Sequence, residues 1–207
     1  MKRGFFSRFV VIAAAIFCTT ACSVARASPF QIGVKTQNPV LFEIGAINSS
    51  LAEVGNGIIA AYKAGHKEVV LRIDSLGGSV SAGEAFSRLI ERVPMNVICV
   101  VDGQAASMAF YILQSCDVRV MTTRSMLLIH EPSMAGVSGN QHELRRAAEY
   151  LEILADRMAT HESSRLFISK EELVKKIHDR DWTLLPTEAM EIGAIDQVIE
   201  APRVEKD

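Results

Sequence analysis

Five apolar residues in a row, Val97 to Val101, run into Asp102 and Gly103, and a set of small residues around Ser107 then leads straight into the apolar stretch Met108 to Leu113. A short apolar run followed at once by an apolar helical stretch fits a buried strand joined by a tight turn to a buried helix, the repeating unit of an α/β fold. A serine at such a turn is exposed beside helix amides that no backbone carbonyl satisfies. Those amides, with the positive end of the helix dipole, stabilise a developing oxyanion. A second apolar run, Met126 to Ile129, delivers His130 and is stopped at Pro132. An imidazole at a strand end suits a general base. The same residues also fit a plain small-residue turn and a histidine that caps backbone, and the pattern alone leaves both readings open.

The rest of the chain repeats the pattern. Val40 to Ile44 reads as a strand; Leu51, Val54, Ile58, Ile59 and Tyr62 then make one face of a helix that Gly65 closes. Glu68 to Ile73 is the second strand, and Gly77-Gly78 comes after it, leading into a helix at about Ala82 to Arg92. That glycine pair fits a backbone brought close to a ligand or a loop that simply needs positive φ. With no G-x-G-x-x-G and no Gly-Lys-Ser/Thr ending, a nucleotide cradle is a weak reading. Asn96 to Val101, Asp117 to Met121 and Met126 to Ile129 supply three more strands. Short joints between strands and helices predict right-handed crossovers and a site at the carboxyl ends of the strands, where Gly77, Ser107 and His130 converge. Gln141 to Leu166 is the longest helix, with a stripe of Leu144, Ala147, Ala148, Leu151, Ala155 and Met158; it fits an oligomer contact or packing on its own domain.

Of the 207 residues, the first 27 read as a signal peptide. Lys2, Arg3 and Arg8 precede an uncharged stretch, and Ala25-Arg26-Ala27 gives the small-x-small cleavage pattern. The stretch falls short of the roughly 20 apolar residues of a membrane span. An uncleaved anchor, or a lipoprotein cleaved at Cys22, is the alternative. Residues 28–207 make one domain's worth of chain, exported and by expectation periplasmic. Without Lys2, Arg3, Arg8 and Arg26 the net charge moves from -2 to -6, which argues against nucleic acid as the main partner. Cys99 and Cys116 remain in the mature chain and fit either a disulfide or buried free thiols. His66, His142, His161 and His178 are scattered and read as solvated surface, so no metal site is expected.

Taken together, Gly77-Gly78-Ser79-Val80 with Ala82-Gly83, Gly103-Gln104-Ala105-Ala106-Ser107-Met108, Ile129-His130-Glu131-Pro132, and Asp179-Arg180-Asp181 followed by Glu188-Ala189 and Gly193-Ala194-Ile195-Asp196 resemble the Clp protease proteolytic subunit family of serine peptidases. The resemblance covers about Val40 to Ile199. It implies a ClpP/crotonase-like spiral of parallel-strand βα units with a long protruding oligomerisation helix. It further implies Ser107 as nucleophile, His130 as general base and Asp181 as the acid that orients it, Asp179 being a rival. The backbone amides of Gly78 and Met108 fall where the family has its oxyanion hole. No cofactor is implied; the implied substrate is polypeptide, and the chain is expected to be a homo-oligomer, ring-shaped by analogy with the family.

The chain departs from the family pattern in three ways. Pro29 to Asn38 hold no recognisable counterpart of the arm that helps dock an ATP-driven unfoldase, and Leu76 stands where the family usually has proline. An exported protein meets little ATP, so cleavage is expected to be ATP-independent, without a cytoplasmic unfoldase. A serine–lysine peptidase of the signal-peptide-peptidase type is disfavoured because no lysine lies between Ser107 and Lys170, unless Lys63 or Lys67 folds back. A crotonase-like enzyme would not require Ser107, His130 and Asp181 together. A scaffold or binding subunit would keep the helix interface and dispense with all three.

Overall fold

In the computed structural model, which describes residues 39–201, the apolar runs form one sheet. The elements in chain order are β1 (Val40–Ile44), α1 (Leu51–Lys63), β2 (Glu68–Ser75), α2 (Val80–Ile90), β3 (Asn96–Ala106), α3 (Met108–Leu113), β4 (Val118–Thr122), β5 (Met126–Ile129), α4 (Gln141–Ser163), α5 (Lys170–Ile177), β6 (Trp182–Leu184), α6 (Pro186–Glu191) and β7 (Gln197–Ile199). The signal-peptide, anchor and N-terminal-arm readings fall outside the described residues. Strand order is β1-β2-β3-β4-β7, all parallel, with β5 pairing β3 and β6 pairing β5 antiparallel.

The spiral comes from β3, which is longer than its apolar run. Its first half pairs β4 through Ile98–Val101, and its second half pairs β5 through Gln104–Ala106. Between them the register against β2 shifts: Ile73 faces Val101, yet Ser75 faces Ala105. Asp74 fills the gap, accepting the Gln104 amide at 3.2 Å, and a Cβ on Gly103 would lie 2.4 Å from that carboxylate. A bulge bends a strand and re-aims the residues beyond it. Here it turns the end of β3, and with it Ser107, onto β5.

One sheet face packs on the helices. Val69, Leu71, Ile73, Val97 and Val101 alternate inward against α3, whose six residues are all buried. Val70, Ile98, Val100 and Val120 form a smaller cluster on the other face. The near-continuous apolar character of β2 and β3 reflects burial of both faces. In α1 the buried line is Leu51, Gly55, Ile58 and Ala61, whereas Ile59 and Tyr62, expected on the same face, are exposed. Gly55 explains the rotation: a Cβ there would come within 2.9 Å of Leu89 in α2, so the helices meet at the glycine. Cys99 and Cys116, both buried, are joined in a disulfide.

Helix α4 runs 23 residues, and from Gln141 to Tyr150 all but half-buried Ala147 are exposed. A capping box holds its start: Asn140 accepts the His142 and Glu143 amides, and Glu143 accepts the Asn140 amide at 2.7 Å. Of its expected stripe only Met158 is buried, while Leu144 is 45% exposed and Ala148 lies in solvent. Among the described residues, no helix is long and apolar enough to cross a membrane.

Candidate active site

Ser107 sits between β3 and α3 with φ 56° and ψ -124°. Left-handed backbone is costly for a residue with a Cβ, about 1–3 kcal/mol, and it persists where surrounding structure dictates it. The surroundings are visible. The Ser107 amide donates to Leu128 O at 2.8 Å, fixing the turn to β5, and the Phe110 amide donates to Ser107 O at 2.9 Å, starting α3. The resulting strand-to-helix elbow presents the serine at the carboxyl end of the sheet.

The glycine pair lies against this elbow. A Cβ on Gly77, whose φ is 94°, would stand 2.8 Å from Ser107 Cβ and 3.1 Å from the Met108 amide nitrogen. Ile47 straps the loop by donating to Gly77 O at 3.0 Å and accepting the Ser79 amide at 2.7 Å. Gly78, between those two bonds, has φ 147°, and a Cβ there would meet Ile47 O at 2.3 Å. The positive-φ reading of the pair therefore holds, and what the two glycines approach closely is the elbow and Ile47. Among the described residues no hydrogen bond is made by the amides of Gly78 or Met108.

His130 comes directly after β5 and is half-buried. Because Ala106 pairs Leu128, the serine end of β3 and the histidine end of β5 lie side by side. On the other edge of β5, Ile129 pairs Trp182, so the register continued by one residue sets His130 opposite Asp181. No hydrogen bond joins Ser107 to His130 or His130 to Asp181 among the described residues. Asp181 is exposed in the single chain, whereas the acid of a serine-histidine-acid triad is ordinarily buried. The rival Asp179, also at positive φ (55°), points to His178 at 3.4 Å with a side chain 85% exposed. Lys67 precedes β2 and its carbonyl accepts the Asn96 amide at the start of β3. It therefore lies at the amino ends of the strands, opposite the Ser107 end.

Several residues were not legible as site neighbours. His161 is not solvated surface. It stacks on Tyr111 with ring centroids 4.0 Å apart, and burial depresses its pKa. Glu131, His178 and Asp179 come together on the surface, with His178 Nδ1 3.3 Å from Glu131. Arg119, buried in β4, binds Asp196 and Gly193 O. Burial alone would raise the Asp196 carboxyl, but the Arg119 bonds hold it below its usual range. That pair pins the Gly193–Asp196 turn to the sheet. Finally, a cavity of about 240 Å³ opens between His130 and the facing sides of α4 and α5, and Glu162 reaches into it. Glu162 stands four residues after Met158 on the buried stripe of α4, a periodicity that could have revealed it.

Fold and site together define a parallel-sheet α/β protein with its candidate chemistry gathered at the carboxyl ends of the strands. The chain belongs to the Clp protease family, a family of peptidases, whose model matches residues 38–202. It is 35% identical over 144 residues to ATP-dependent Clp protease proteolytic subunit 3 of Synechococcus sp. (strain CC9902), covering 66% of this chain and 68% of that one. It is 32% identical over 137 residues to ATP-dependent Clp protease proteolytic subunit 1 of Prochlorococcus marinus (strain MIT 9312), covering 65% and 69%.

Proposed function

We propose that this chain is a serine endopeptidase that cuts peptides or unfolded segments without ATP, using Ser107, His130 and Asp181. The observation that carries the reading is the order of neighbouring strand ends: serine directly after β3, histidine directly after β5, acid directly before β6. A serine hydroxyl is a poor nucleophile until a base takes its proton. In the proposed reaction Ser107 Oγ bonds to the scissile carbonyl carbon as His130 accepts the hydroxyl proton. The tetrahedral oxyanion is held by the amides of Gly78 and Met108, which have no other partner among the described residues. Collapse breaks the peptide C–N bond and His130 returns the proton to the departing amine. Water, deprotonated by His130, then releases the acyl group. Asp181 stabilises the imidazolium and fixes its tautomer.

The working form is a homo-oligomer assembled through α4. Support comes from the exposed Leu144, Tyr150 and Ile153 on α4 and from the exposure of Asp181, which a neighbouring copy would cover. The compartment is the periplasm, supported by the charge pattern of residues 1–27 and by the Cys99–Cys116 disulfide. One observation favours a second reading, a non-catalytic scaffold or binding subunit: the three side chains share no hydrogen bond. Catalytic hydrogen bonds are often long before substrate binds or subunits assemble, which keeps the enzyme reading ahead. The direct test is hydrolysis of unfolded casein by the mature protein with no nucleotide. Turnover that Ser107→Ala abolishes supports the peptidase; equal turnover by both proteins refutes it.

A further inference from the structure

The cavity beside His130 contains a group that peptide-bond chemistry does not need. Glu162 is 3% exposed, and no described residue hydrogen-bonds its carboxyl. Glu162 lines the cavity, and among the described residues no fully enclosed side-chain oxygen is left without a partner. The other carboxylates that line the cavity are Glu131, Glu152 and Asp156. Glu152 and Asp156 face the cavity from α4 and Glu131 from the segment after His130, while α5 contributes Val174 and Ile177. Lys170 already pairs Asp156, and His178 lies against Glu131. Among the described residues, no lysine or arginine lines the space. Burial raises the Glu162 pKa to about 8 with no neighbouring cation to counter it.

We propose that this cavity is a specificity pocket for a basic side chain, lysine or arginine, next to the bond to be cut, with Glu162 as its counter-ion. The proposal rests on His130 being the general base, since the cavity opens at His130 and so receives a side chain flanking the scissile bond. Three features fit the occupant. At about 240 Å³ the space is smaller than the roughly 300–1,000 Å³ of small-molecule sites and suits one side chain. Its walls, among them Met158, Ala159 and Ile177, can pack the methylene stem of a long cation. Burial keeps its carboxyl protonated; a substrate ammonium or guanidinium placed beside it lowers its pKa, releases that proton to water and pairs with the carboxylate, an interaction that an apolar substrate side chain does not make.

The test uses the mature assembled protein and peptide amides that differ only in the residue before the cut: Lys, Arg, Leu or Glu. The expected result is a kcat/KM at least about 100-fold higher for Lys or Arg than for Leu, reduced to near parity in Glu162→Gln, which keeps the volume and removes the charge. A second arm needs no catalysis: binding of p-aminobenzamidine, monitored by its fluorescence, to wild type and to Ser107→Ala, with benzamide as neutral control. The cation should bind both proteins and the amide neither. If the protein fails to turn over any peptide yet binds the amidine, with binding lost in Glu162→Gln, the peptidase reading falls and the cation pocket stands. If Leu is preferred and the amidine does not bind, the pocket is overturned while the peptidase stands. A Glu162→Gln variant that changes the oligomeric state and leaves amidine binding intact makes Glu162 a subunit contact and also overturns it. Should that variant not fold, the amidine-against-benzamide comparison on wild type decides alone.

Discussion

His130 and Asp181 oppose one another across β5 and β6, one step beyond the Ile129–Trp182 pair. An acid in that position can hold the imidazole in the tautomer that accepts a proton from Ser107. Asp181→Asn should therefore lower kcat by about 10⁴-fold with little change in KM. Asp179→Asn should leave both within a few fold, because Asp179 points to His178 on the surface. Steady-state kinetics on the two variants separate the roles; the reverse order would make Asp179 the orienting acid.

Gly77 lies against the elbow backbone. Gly77→Ala adds a methyl 2.7 Å from Ala106 O and 2.8 Å from Ser107 Cβ, on backbone at positive φ. Activity should disappear and stability should fall by about 3 kcal/mol or more. Gly136→Ala, at φ 71° with nothing within 4 Å, should cost only about 1 kcal/mol and spare activity. Urea melts alongside peptide turnover check both.

The elbow also stores strain that a glycine would release. Ser107→Gly should raise the melting temperature by about 2–4 °C, the equivalent of about 1 kcal/mol in a domain of this size, whereas Ser107→Ala should not. Scanning calorimetry of the two inactive variants gives the comparison. Equal melting temperatures would mean that the conformation is not strained.

Glu162 should make stability depend on pH in an uncommon direction. Its folded pKa, about 8, lies above its unfolded value of 4.5, so the native state holds a proton that the unfolded chain has lost. Stability is then fully present below about pH 4.5 and falls as pH rises through about 8, by a few kcal/mol. Glu162→Gln should flatten that fall and be the more stable protein at pH 9. The groups facing it, Tyr111 on α3 with His130, Glu131, Glu152 and Asp156, remain in the variant, so the difference curve reports Glu162 together with its coupling to Tyr111. Chemical denaturation at pH 5, 7 and 9 reads the effect.

The elements most legible in the sequence are those with local causes. The Val97–Val101 run, the apolar Met108–Leu113 stretch and the Pro132 stop each define an element without help from the rest of the fold. The continuation of β3 past Gly103 is hidden, since Asp102-Gly103 reads as a strand end and what carries the ladder on, the Asp74 carboxylate and the pairing with β5, comes from elsewhere in the chain. Resemblance points to Asp181 but not to its exposure, because burial of an acid at the rim depends on what covers a single chain. Glu162 escapes notice when the α4 stripe is traced only as far as Met158. His161 misleads for the opposite reason: stacking on Tyr111 is a contact between distant elements that no local period records.

The most direct test of the central claim is labelling of the purified, assembled mature protein with a fluorophosphonate probe, without ATP, beside Ser107→Ala and His130→Ala. A serine activated by His130 forms a covalent phosphonyl adduct, so the account predicts labelling of the wild type, mapped to Ser107 by mass spectrometry, and none in either variant. Absence of labelling in a folded, assembled sample, or labelling that survives Ser107→Ala, would contradict it.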